Sequence, residues 1–272
     1  MDENKNKQNT KHKKKIGIGI ASLTLIGGIA LGISLVHPTK ESNVVQAEKK
    51  ANMSKKEVNL TPEERFLASV SLDDWRLPLV GPDHVLKAEV NETTDLATVG
   101  NYLVNKQIVS DYEQLEQATQ QAQFPLVIIS AYRSVDYQQQ VLNAGVQQRI
   151  ANGMTEEEAL ADAKKTMTEP GHSEHHTGLA MDIVDLDWYN SYPSEVLHSD
   201  YGQTKGGKWL ASHAPEYGFI IRYPEGKEAI TKIDYEPWHL RYVGKEYAQY
   251  MTAHGWTLEE FLEQVKVAKQ KQ

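Results

Sequence analysis

Residues 16–36 (IGIGIASLTLIGGIALGISLV) contain neither a charged residue nor a proline. Twenty-one such residues match the roughly 20 that a helix needs to cross the hydrocarbon core of a bilayer. No amphipathic pattern surrounds the run, so a buried core helix is the poorer reading. Six lysines (Lys5, Lys7, Lys11, Lys13, Lys14, Lys15) precede it, against only Asp2 and Glu3. A positive N-terminal flank stays in the cytoplasm, which predicts a single pass with the C-terminal body outside the cell membrane. A retained anchor is favoured over a cleaved signal and secretion. The small-residue pattern Val45-Gln46-Ala47 lies about ten residues beyond Val36, far for a cleavage site. The chain thus divides into a basic cytoplasmic tail (1–15), a spanning segment (16–36), a polar Lys-rich linker (37–60) and one domain (61–272).

The net charge of the 272 residues is −8, and residues 1–36 carry +4 of opposite sign, so the body is markedly acidic. A general nucleic-acid binder needs a basic face and is excluded. There is no cysteine, so disulfides and thiolate metal sites are excluded too; any metal must sit on His, Asp or Glu. A monomer is expected.

Within the body, Thr61-Pro62-Glu63-Glu64 reads as a capped helix start, with Pro at the first helical position and Glu closing the box. The same box recurs at Ser110–Glu113, Thr155–Glu158 and Thr257–Glu260, predicting helices over 110–122, 155–167 and 257–269. Another helix is expected over 134–151. Strand-like runs are 124–130 (FPLVIIS), 178–184, 218–222 and 239–243. The elements mix without βαβ alternation, which predicts an α+β domain with a small, mostly antiparallel sheet flanked by helices.

Two clusters carry chemistry. Ser173-Glu174-His175-His176-Thr177-Gly178-Leu179-Ala180-Met181-Asp182 leaves a turn after Pro170-Gly171 and enters a strand. Asp182 lies there among apolar neighbours, where a carboxylate requires a cationic partner. The second cluster, Glu236-Pro237-Trp238-His239, puts a carboxylate three residues before an imidazole. If His239 binds a metal, Glu236 can serve as base for a metal-held water. Spacing alone leaves His172, His175 and His176 as competing ligands.

Ser-x-His-x-x-Gly-x-Ala-x-Asp, followed some fifty residues on by Glu-Pro-Trp-His, closely resembles the zinc D-Ala-D-Ala carboxypeptidases of the VanY type. Their superfamily includes lysostaphin-like peptidases and the hedgehog domain, and L,D-carboxypeptidase relatives share the motifs. A third matching segment is Ser130-Ala131-Tyr132-Arg133-Ser134 with Tyr137-Gln138; Ala131 stands where the family usually has Gly. The resemblance covers about residues 90–262 and implies one Zn2+ held by His175, Asp182 and His239, with Glu236 as general base. It implies Arg133 at the developing oxyanion, Gln138 beside the substrate, Ser173 at the terminal carboxylate and Trp238 on the pocket wall. A salt bridge from Arg133 to Asp182 is the plainer alternative for that arginine. The implied activity is removal of the C-terminal D-Ala from peptidoglycan stem peptides across a D,D or L,D bond. Rival readings are a peptidoglycan endopeptidase and a non-catalytic, zinc-stabilised wall-binding domain. The segment 186–216 is expected to form a lid or pocket rim.

Overall fold

The computed structural model describes residues 59–272, so the predicted tail, spanning segment 16–36 and almost all of the linker lie outside the described residues. Among the described residues no helix is long and apolar enough to cross a membrane. The helices of six or more residues are α1 (Pro62–Ser69), α2 (Val109–Gln121), α3 (Val135–Ala151), α4 (Glu156–Ala163), α5 (Leu186–Ser191), α6 (Lys205–His213), α7 (Lys245–His254) and α8 (Leu258–Gln270). The strands are β1 (Leu96–Val99), β2 (Tyr102–Asn105), β3 (Leu126–Ser130), β4 (Ala180–Asp185), β5 (Phe219–Tyr223) and β6 (Glu236–Tyr242). β1 and β2 form a hairpin; the others form one antiparallel sheet in the order β3-β4-β6-β5. This is the expected α+β architecture.

The capping boxes at Thr61, Thr155 and Thr257 form as read, each hydroxyl accepting from the N3 backbone N–H while the N3 glutamate accepts from the cap N–H. The box at Ser110 does not form. A 3₁₀ turn, Lys106–Ile108, capped by the Asn105 side chain, runs straight into α2 and makes Ile108 the entry residue instead. The helix expected over 155–167 ends at Ala163, because the chain unwinds to lay Met167 over Gly145 of α3. A Cβ at Gly145 would come within 2.6 Å of the Met167 sulfur. The strand expected from His239 begins three residues earlier, at Glu236.

Two apolar cores flank the sheet. One gathers Tyr112 and Leu115 of α2, Met181 and Ile183 of β4, and Leu240 of β6. The other joins α1, α7 and α8 through Leu67, Met251, Phe261 and Val265 to Ile220 and Val243. β4 is buried along its whole length, so Asp182 faces a closed interior and not a solvated side of the sheet. Thr257 is buried at the start of α8, and Thr257→Ala is expected to cost about 1 kcal/mol of stability, read as a lower urea midpoint at unchanged m-value.

Candidate metal centre and catalytic site

Strand register brings the first two acidic and imidazole groups together. Asp182 of β4 pairs directly with His239 of β6, which puts their side chains side by side on one face of the sheet. His239 Nδ1 lies 3.1 Å from Asp182 Oδ1. Glu236, three residues earlier, would point to the opposite face of a regular strand. It does not, because β6 bulges against β5. Ile221 pairs with Leu240 and Tyr223 with Glu236, so the bulged stretch of β6 is longer than the β5 segment it faces. The bulge turns Glu236 back, and its Oε2 lies 3.6 Å from His239 Nδ1.

His175 arrives on a 3₁₀ turn, Glu174–Thr177, capped by Ser173 and closed by Gly178 at φ +67°. Gly178 is required twice over: its backbone is left-handed, and a Cβ would lie 2.9 Å from the Asn105 backbone nitrogen. His175 Nδ1 donates to the Ala131 carbonyl at 2.6 Å, which turns Nε2 toward Asp182 Oδ2, 3.3 Å away.

The crowding of three histidines resolves by their partners. His172 spends Nδ1 on the Gly81 carbonyl at 2.9 Å. His176 uses both nitrogens, donating from Nδ1 to the Arg133 carbonyl at 2.7 Å and accepting the Gly171 N–H on Nε2 at 3.1 Å. Only His175 keeps a buried nitrogen without a hydrogen-bond partner beside Asp182. Ligand atoms of His175, Asp182 and His239 lie within 4.8 Å of one another, and all three residues are buried. Asp182 Oδ1 likewise lacks a hydrogen bond. Buried atoms that have given up water and gained no partner are costly unless a cation joins them. Two nitrogens and one carboxylate oxygen suit zinc, and three protein ligands leave a position open. The group therefore fits Zn2+.

The electrostatics of the protein groups are strongly skewed. Burial works to raise the Asp182 carboxyl, but His175 and His239 outweigh it and hold it far below the usual range. Burial and then the Arg133 charge push His175 down to about 4. Burial opposes the charged form of His239, yet the neighbouring carboxylates of Asp182 and Glu174 raise it to about 9. Glu236 is pushed up to about 8, chiefly by burial, with the Asp182 charge adding to it and His239 and Arg133 opposing.

The remaining implied residues surround one cavity of about 480 Å³, lined by Arg133, Gln138, Ser173, His175, Asp182, Glu236, Trp238 and His239 among others. Arg133 makes no salt bridge to Asp182; its buried Nε has no hydrogen-bond partner. Its backbone is fixed instead, its N–H donating to the His175 carbonyl at 3.3 Å and its own carbonyl held by His176. Gln138 is buried, its amide nitrogen donating to the Thr168 carbonyl at 2.8 Å while Oε1 stays unpaired. The Ser173 hydroxyl accepts the His175 N–H at 3.4 Å. Trp238 belongs to the apolar core as well as to the cavity wall. Of the segment 186–216, only Glu195, Val196 and Leu197 reach the cavity. Elsewhere in the segment Trp188, Tyr201 and Leu210 are core residues, and the Trp188 indole N–H donates to the Val196 carbonyl at 2.8 Å. The expectation of a lid thus narrows to three rim residues.

Sequence reading passed over Glu174, Tyr223, Arg222 and Arg241. Tyr223 lines the cavity with its ring 4.8 Å from that of His239. Glu174 is buried against both arginines, Arg222 Nε lying 2.7 Å from its Oε1 and Arg241 Nη1 bonding the same oxygen. The available signal was the placing of arginines inside otherwise apolar strand runs (Ile-Ile-Arg-Tyr and His-Leu-Arg-Tyr), where a charge needs a buried partner.

Residues 101–245 match the model of the VanY family, D-alanyl-D-alanine carboxypeptidase. A Bacillus subtilis protein provisionally assigned as a carboxypeptidase, YodJ, is 34% identical over 250 residues, covering 84% of this chain and 85% of its own. The crystal structure of VanY from a VanB-type vancomycin-resistance cassette with Zn(II) is similar at TM-score 0.60 and 33% identity, covering 70% of this chain and 99% of that one. The LdcB LD-carboxypeptidase is similar at TM-score 0.57 and 34% identity, covering 68% and 85%. The fold, the zinc-fitting triad and these matches agree: the chain is a zinc metallo-carboxypeptidase and belongs to the VanY family of D-alanyl-D-alanine carboxypeptidases.

Proposed function

We propose that this enzyme removes the terminal D-Ala from peptidoglycan stem peptides, on the outer side of a membrane to which residues 16–36 hold it. The observation that carries the proposal is a single cavity where a metal-fitting triad, a buried carboxyl and an unpaired guanidinium converge. Its volume of about 480 Å³ suits the end of a peptide. Bound at His175, Asp182 and His239, zinc supplies Lewis acidity toward the scissile carbonyl and acidifies a water to a pKa of ~7. Glu236 accepts the proton of the attacking water and returns it to the leaving amine. Arg133 places fixed positive charge where the carbonyl oxygen becomes anionic. Ser173 offers a hydroxyl proton to the terminal carboxylate, and Gln138 Oε1 accepts a peptide N–H. Trp238 walls the pocket.

D-Ala sits at the end of both penta- and tetrapeptides, behind a D,D or an L,D bond. Relatives of both kinds resemble the chain to the same degree. The test is incubation of residues 50–272 with defined penta- and tetrapeptides, followed by mass spectrometry. Loss of one D-Ala from either peptide, abolished by a chelator and restored by Zn2+, is expected. Release from neither would sink the proposal, and cuts inside a cross-bridge would point to an endopeptidase.

A further inference from the structure

The two oxygens of Glu174 serve different groups. Oε1 takes both arginines, Arg222 through Nε at 2.7 Å and Arg241 through Nη1. Oε2 takes neither, and no hydrogen bond from the described residues reaches it. It faces His239 Nε2 at 3.5 Å, and that nitrogen has no hydrogen-bond partner either. Each of these two buried atoms therefore has the other as its charge partner. A carboxylate present only to neutralise arginines would engage a guanidinium fork with both oxygens. Glu174 does not.

The arginines that aim it are themselves immobilised. The far side of Arg222 makes a two-pronged contact with Glu259 of α8, at 2.9 and 2.6 Å. Arg241 donates from Nη2 to the carbonyls of Arg76 and Pro78, at 3.0 and 2.9 Å, and from Nε to its own neighbour's carbonyl, Tyr242, at 3.1 Å. Arg222, Arg241 and Glu174 are at most 1% exposed, so none can swing away into solvent. The other side of the imidazole is the catalytic one, with Nδ1 toward Asp182 and Glu236. A carboxylate behind a metal-binding histidine holds the proton on the distal nitrogen, fixes the ring and strengthens the ligand.

We infer that Glu174 is a positioning residue: by holding His239 Nε2 it makes Nδ1 the nitrogen that meets the metal. His175 is oriented the opposite way, through Nε2, by a backbone carbonyl. The two imidazoles of the site are thus set by different devices, one neutral and one charged. The inference rests on the zinc reading of the triad.

The test uses the full zinc-loaded chain and its variants. In long-range proton–nitrogen NMR spectra of the parent, His239 is expected to carry the metal on Nδ1 and a proton on Nε2, with the reverse at His175. Metal on His239 Nε2 would overturn the inference whatever any variant does. Glu174→Gln is expected to weaken Zn2+ binding, measured by chelator competition, by roughly 10- to 100-fold. Glu259→Gln loosens the same arginine cluster without touching His239. It is expected to lower the urea midpoint while leaving Zn2+ affinity unchanged. Unaltered Zn2+ affinity in Glu174→Gln, or an equal loss in Glu259→Gln, would show that Glu174 acts only as a buried structural anion. A parent chain that binds no Zn2+ would instead remove the zinc reading itself, and this inference with it.

Discussion

Glu236→Gln is expected to lower kcat by roughly 10²- to 10⁴-fold while leaving one Zn2+ bound per chain, as read by steady-state kinetics and metal analysis. The substitution keeps the shape of the side chain and removes only its capacity to take a proton. Loss of zinc along with activity would assign Glu236 to the metal and not to the base. The same variant makes a second, opposite prediction for stability. The folded protein groups hold the Glu236 proton up to about 8, against an ordinary carboxyl value of 4.5. Between those limits the folded chain binds more protons than the unfolded one, so this carboxyl makes stability fall as pH rises. Gln does not titrate. The zinc-free variant should therefore gain stability over the zinc-free parent as pH rises from about 4.5 to about 8, in urea unfolding at a series of pH values. A base poised by burial is costly to the fold, and its removal trades activity for stability.

Arg133→Ala is expected to reduce kcat by ~10²- to 10³-fold, the loss typical of removing one oxyanion donor. Arg133 makes no salt bridge among the described residues, and its position is set through its backbone by His175 and His176. Truncating the side chain leaves those backbone contacts in place, so thermal stability and zinc content should change little. Arg133→Lys restores charge but not the planar fork, and should recover only part of the rate. A loss confined to KM would mean that the guanidinium holds the substrate equally in ground and transition states.

The readable parts of this chain are those whose physics is local. Capping boxes at Thr61, Thr155 and Thr257 depend on four consecutive residues and were legible. Ser110 carries the same letters, but the 3₁₀ turn before it supplies another entry into α2. The metal group was legible only with the family's motif in hand, because choosing among His172, His175 and His176 depends on carbonyls of Gly81, Ala131 and Arg133 far away in sequence. The shared orientation of Glu236 and His239 was not legible at all. Strand periodicity places them on opposite faces, and the bulge that reunites them exists only once β5 pairs with β6. Glu174 was hidden for a related reason: its partners, Arg222 and Arg241, lie 48 and 67 residues away.

Arg222 links the metal centre to Glu259, which stands about twenty residues beyond His239, in the first turn of the last helix. A chain made from its N-terminus thus acquires all three metal-holding side chains before it has the carboxylate that balances the arginine beneath them. In order of synthesis the ligands come first and the support behind them last. The C-terminal helix then adds no group to the cavity and serves as the last brace set behind the arginines.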